Sequence, residues 1–130
     1  MALDPAALPP EVLAFLGERH IGTLTTVRPD GSPHVVAIAF TWDDEAGVAR
    51  VITGRESRKA RNVAMGGTRA VVAQVDGARW LALEGSARLV TDPAGVLDGE
   101  RRYAVRYRQP QANPDRALIE IQVDRVLGRG

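Results

Sequence analysis

Two periodicities divide this chain. Behind Pro9-Pro10, the apolar residues Val12, Leu13 and Leu16 recur at helical spacing and predict a short helix over EVLAFLGER. From Ile21 the period shortens. IGTLTTV is rich in β-branched residues and ends at Arg28-Pro29-Asp30-Gly31, a turn signal. The next segment, PHVVAIAFTW, reads as one long strand. His34, Val36, Ile38, Phe40 and Trp42 line one face, and Val35, Ala37, Ala39 and Thr41 line the other. Neither face carries charge, which is the pattern of a strand buried on both sides. A DDEAG loop leads to a third strand, VARVIT.

The stretch from Gly54 to Gly67 interrupts the alternation. Ser57 is suited to cap two helical turns over RKARNVAM, and Gly66-Gly67 stops them. The fourth and fifth strands, AVVAQV and RWLALEGSARLV, are joined through Asp76-Gly77, a hairpin signal. Asp92 or Thr91 caps a further helix that starts at Pro93 and reaches about Tyr107. After a polar loop from Gln109 to Asp115, ALIEIQVDRV alternates as a half-buried last strand, with Leu118 opposed to Ile119, Ile121 and Val123. The sum is mainly β with short helices: a six-stranded antiparallel barrel, not a parallel doubly wound sheet. Such a barrel has one interior, so the outer apolar face of the second strand needs another cover. A homodimer is the expectation.

Composition narrows the classes. The 130 residues set the expectation of a single domain over 1–130. The net charge of +1 gives no field for nucleic acid or an anionic membrane, and without cysteine there is no disulfide, thiolate metal site or Cys nucleophile. Two histidines, His20 and His34, are too few for a His-rich metal site, so no metal is expected. No apolar run approaches the ~20 residues of a membrane span, and the start lacks a signal-peptide pattern. A cytoplasmic protein is the expectation. Sixteen of the 17 basic residues are Arg, which singles out Lys59.

Candidate chemistry concentrates in two basic segments. GRESRKARN follows a strand and opens a helix, where free N–H groups and the dipole favour an anion beside Ser57, Arg58 and Lys59. The other reading is a solvated basic helix face. In the second segment Tyr103 and Tyr107 share a helix face, as do Arg102 and Arg106. They suit either a flat acidic ligand or packing of the tyrosines on the barrel. Trp80 stands at a strand start as core or as a wall for a flat ring, and Glu84, among apolar neighbours, calls for an Arg partner. No catalytic triad or carboxylate pair is present, and no proton donor stands out. If the chain is an enzyme, a bound cofactor carries the chemistry.

The order FLGERHIGTLTTVRPDGSPHVVAIAFTWD, VITGRESRKARNV, QVDGARWLALEG and ERRYAVRYRQP, then NPDRALIEIQVDRVLG, resembles the split β-barrel flavin and deazaflavin oxidoreductases. These are relatives of pyridoxamine 5′-phosphate oxidase and share the architecture of FMN-binding proteins. The resemblance is strongest to the branch that uses coenzyme F420, in particular the F420-dependent biliverdin reductases. It implies a homodimer with cofactor sites at the subunit interface. It places the cofactor phosphate on Ser57, Arg58 and Lys59 with Thr53 beside them, and the ring along His34, Val36 and Ile38. Trp80 and the helix that carries Arg102, Arg106 and Tyr107, from the same or the partner subunit, would border the ring or the substrate pocket, with Arg102, Arg106 or Arg108 to pair an acceptor's carboxylates. The implied activity is hydride transfer from F420H2 to a flat conjugated acceptor, biliverdin or a similar tetrapyrrole. An FMN-dependent oxidase or reductase, or a non-catalytic F420- or flavin-binding protein, is the alternative on the same scaffold.

Overall fold

A computed structural model describes residues 2–130. Eleven elements follow in chain order: β1 (Ala2–Leu3), α1 (Pro10–Gly17), β2 (Gly22–Val27), β3 (Pro33–Ile38), β4 (Thr41–Asp43), β5 (Val48–Gly54), α2 (Arg58–Val63), β6 (Thr68–Asp76), β7 (Arg79–Val90), α3 (Pro93–Arg106) and β8 (Arg116–Arg129). The strands form one antiparallel sheet in the order β3-β2-β6-β7-β8-β5-β4, with β1 paired to the far end of β8.

Eight strands therefore stand where six were expected. The largest change is in PHVVAIAFTW, which breaks at Ala39-Phe40 into β3, paired with β2, and β4, paired with β5. These two pieces are the opposite ends of the sheet path, yet only two residues separate them. Since consecutive Cα atoms are about 3.8 Å apart, the sheet must curl until its two edges meet at this corner. No ladder joins β3 to β4, so the sheet is split at the seam and not closed.

Inside the curl lies a core of Leu24, Phe40, Val51, Val72, Leu81, Leu83, Ile119 and Ile121, into which α1 sinks Val12, Phe15 and Leu16. On the outside, α3 covers β5 and β8, and Gly99 lets the helix come close. A Cβ there would stand 2.6 Å from Leu118 Cδ1. Residues Ala117 to Ile119 are consequently buried on both faces, where only one buried face was expected. The opposite happens at β3. It is an edge strand with nothing over its outer face, and Val35 is 58% exposed, so the two-sided burial expected of it is absent within one chain. Val75 and Trp80, paired across β6 and β7, extend that same exposed face.

Candidate functional site

The local signals around α2 act as the sequence suggests. Ser57 adopts extended backbone geometry and its Oγ accepts the Ala60 N–H at 3.2 Å. Thr53, at the end of β5, shares a 2.8 Å hydrogen bond with the same hydroxyl. Asn62 turns inward from α2 and donates to Thr26 Oγ1 at 2.9 Å, tying the helix to β2. Thr26 is in turn the register partner of His34. This polar group under α2 is incompletely satisfied. Among the described residues, buried His34 Nδ1 and Asn62 Oδ1 have no hydrogen-bond partner.

The charges that act on His34 are all positive. The pKa of His34 is pushed down by desolvation and then by the cations of Arg28, Lys59 and Arg58, which keeps the imidazole neutral. Lys59 is half-buried, has no acidic partner among the described residues, and has its pKa lowered by burial. A buried, unpaired ammonium is costly unless an anion arrives. Lys59 opens onto a cavity of about 460 Å³ between the end of β3 (Ala37, Ile38), Ile52, Tyr103 and the loop from Arg108 to Gln111. Arg116 on its wall is already paired with Glu100 at 2.6 Å, whereas Arg108 has no partner among the described residues. The cavity is thus a cationic cleft with a flat, small-residue wall along β3.

Of the residues singled out from sequence, the fold gathers His34, Arg58 and Lys59 at the α2 end, with Thr53 hydrogen-bonded to Ser57 beside them. Ile38 and Lys59 share the cavity, and Val36 points to the same side of β3 as His34 and Ile38. Trp80 is not brought there: it lies on the outer face of β7, opposite Val75 and Arg129. Glu84 has Arg125 for its cation, 3.9 Å away.

The three residues expected to face substrate are put to other uses. The Arg106 guanidinium donates to Glu18 O (2.8 Å), Phe40 O (2.6 Å) and Gln74 Oε1 (2.6 Å), so each of its three nitrogens is engaged within the fold. The single proton of the Tyr107 hydroxyl is shared between His20 O and Phe40 O, 2.8 and 2.9 Å away, while the oxygen accepts the Phe40 N–H at 3.3 Å, and only the ring borders open space. Arg102 pairs with Asp98 at 2.9 Å and approaches Asp43 at 3.4 Å. Arg102 and Arg106 line a separate groove beside Trp42 and Val105. Thr26, Asn62 and the small wall residues Ala37 and Ala39 belong to the site without any sequence signal of their own. Only the register of β2 with β3 and the docking of α2 reveal them.

Glu18, His20 and Asp76 also converge, their ligand atoms within 4.8 Å. Arg79 bridges both carboxylates, and this makes the group an ion-pair cluster.

The family model for pyridoxamine 5′-phosphate oxidase matches residues 8–130. A curated protein of Mycobacterium tuberculosis, named F420H(2)-dependent biliverdin reductase, is 56% identical over 118 residues, covering 91% of this chain and 85% of the relative. A solved structure named F420 reductase superposes with a TM-score of 0.73 at 29% identity, covering 92% of this chain and 98% of its own. A conserved hypothetical protein from Mycobacterium tuberculosis reaches 0.79 at 24% identity, with coverages of 95% and 85%, a likeness of fold. The chain belongs to the pyridoxamine 5′-phosphate oxidase family.

Proposed function

We propose that this member of the family is an F420H2-dependent reductase of a flat conjugated acceptor, biliverdin or a similar tetrapyrrole. The observation that carries the reading is the 56% identity across 91% of the chain to a reductase of that name. When bound, reduced F420 supplies a hydride from its deazaflavin ring. The residues present fit such a group: an unpaired half-buried ammonium at Lys59, unsatisfied polar atoms at His34 and Asn62, and a flat wall along β3.

In this reading Lys59 and Arg58 hold the cofactor's phosphate beside Ser57 and Thr53. His34, Val36 and Ile38 flank its ring. The neutral His34 offers a hydrogen bond without adding charge. Ile38, Ile52 and Tyr103 narrow the cleft and exclude water, which strengthens every electrostatic contact inside it.

A second copy of the chain completes the picture. Val35, Val75 and Trp80 are 58%, 67% and 39% exposed on a continuous outer face that also carries Thr23, Ala37 and Ala73. An exposed apolar stretch of this kind, bordered by Glu84 and Arg129, suits a homodimer, and in a dimer Trp80 would serve a site from across the interface.

The test is a titration of ligand-free protein with F420, following the coenzyme's fluorescence with FMN as competitor, and then turnover of biliverdin with F420H2. Tight F420 binding that FMN does not displace, followed by reduction of biliverdin, is expected. Preference for FMN overturns the electron donor, and binding without turnover leaves a carrier.

A further inference from the structure

The cleft beside Lys59 does not end at Tyr103. A second cavity of about 280 Å³, bordered by Arg19, Ile21, Tyr107 and Arg108, shares Ala39, Tyr103 and Arg108 with the first. The two form one groove that passes the seam of the barrel. Ile21 is 63% exposed, and the Tyr103 and Tyr107 rings lie 5.1 Å apart at 37°, giving an apolar, flat lining. Tyr107 can present only its ring, because its hydroxyl is held by two backbone carbonyls.

Two cations flank that lining without acidic partners. Arg19 makes one long contact, Nε to Arg106 O at 3.4 Å, which leaves its terminal nitrogens free. Arg108 makes no hydrogen bond or ion pair among the described residues. Glu18, next to Arg19 in sequence, is already held by both terminal nitrogens of Arg79 at 2.8 and 2.9 Å. By contrast Arg50, Arg69, Arg79, Arg102 and Arg116 all have carboxylates.

We propose that Arg19 and Arg108 form the carboxylate-binding subsite for the acceptor, taking the anionic arms of a flat conjugated molecule whose body rests on Tyr103 and Ile21. This rests on the functional reading above and replaces Arg102 and Arg106 as the residues that meet substrate. A guanidinium fork matches a carboxylate in two hydrogen bonds, so the subsite selects diacids over neutral analogues.

The experiment compares biliverdin with its dimethyl ester on the wild type, Arg19→Gln, Arg108→Gln and the exposed Arg101→Gln, which makes the same charge change outside both cavities. Each groove variant is expected to raise KM for the diacid about fivefold, the scale of an exposed charge pair. For Arg19→Gln, which lies outside the Lys59 cleft, KM for the ester, kcat and the F420 dissociation constant stay as in wild type. For Arg108→Gln, which borders both cavities, KM for the diacid rises more than KM for the ester. Arg101→Gln behaves as wild type. Equal losses on diacid and ester, no loss on the diacid, or a weakened F420 affinity in Arg19→Gln each overturn the assignment. Binding of biliverdin, followed by its visible absorbance with oxidised F420 present, separates the two proposals. If wild type binds but does not turn over biliverdin, the reductase reading fails while the subsite is still judged by the variants' affinities. If wild type does not bind it, both fail.

Discussion

Arg106 and Phe40, 66 residues apart, are joined twice: the guanidinium donates to the Phe40 carbonyl at 2.6 Å and lies 4.7 Å over its ring. Phe40 is the corner at which the chain crosses from one sheet edge to the other. Arg106 and Tyr107 together fix that corner to α1, β6 and α3, so the end of α3 pins the open seam of the sheet at this point.

Loss of this clamp should therefore read as instability and not as lost substrate affinity. Arg106→Ala leaves Gln74 Oε1 without its donor in a buried place and Phe40 O with the Tyr107 hydroxyl alone, at a cost of about 3 kcal/mol. The expected result is a lower urea midpoint, with KM for biliverdin in the folded protein near the wild-type value. Unchanged stability with a raised KM would return Arg106 to the substrate site.

Lys59→Met should separate binding from folding. Removing an unpaired, half-buried cation is expected to weaken F420 binding at least tenfold, roughly the contribution of one charged hydrogen bond, while the melting temperature holds or rises. Burial lowers the folded pKa of Lys59 below its ordinary value of 10.5, so the unfolded chain binds more protons between those two values. Ligand-free stability then rises with pH through that window, and F420 affinity falls through it. Calorimetric titrations at neutral and alkaline pH, with and without the substitution, check both signs.

Gly85 sits at the bulge between β7 and β8, where a Cβ would collide with the Gln122 carbonyl oxygen. Because the obstacle is backbone and not a movable side chain, Gly85→Ala should cost about 3 kcal/mol and lower the melting temperature by roughly 10 °C. A thermal scan showing wild-type behaviour would mean that the strands part freely there.

Glu18 has its pKa lowered to about 2, chiefly by hydrogen bonds from Arg79 and then His20. A carboxylate whose folded pKa is depressed stabilises the fold above its unfolded value of about 4.5, and the stabilisation is lost as pH falls towards 2. Glu18→Gln should flatten the acid-unfolding profile between those values. An identical profile for wild type and variant would show that the pair contributes nothing in solution.

Val35→Glu places a charge on the β3 edge of the exposed outer face, away from the core. Wild type is expected to sediment as a dimer at micromolar concentration and the variant as a folded monomer with impaired F420 binding. A wild-type monomer with full affinity would remove the second copy from the site.

By itself the sequence determined the elements whose causes are local. Ser57 and Asp92 cap their helices as their side chains allow, and Gly77, with φ of +63°, turns the β6–β7 hairpin where Asp76-Gly77 predicts it. The basic strand-to-helix segment was legible for the same reason, since helix ends and runs of like charge are properties of neighbouring residues. Only the tertiary structure decided the split of PHVVAIAFTW at Ala39-Phe40. An apolar strand pattern is the same whether its halves pair with one neighbour or with two at opposite edges of a curled sheet. It also decided which arginines are free. The partners of Arg106 lie at Glu18, Phe40 and Gln74, far away in sequence, while Arg19 and Arg108 have no carboxylate. Whether a cation is spent or available is a matter of what folding brings within hydrogen-bond reach, and residue spacing along one helix carries no record of it.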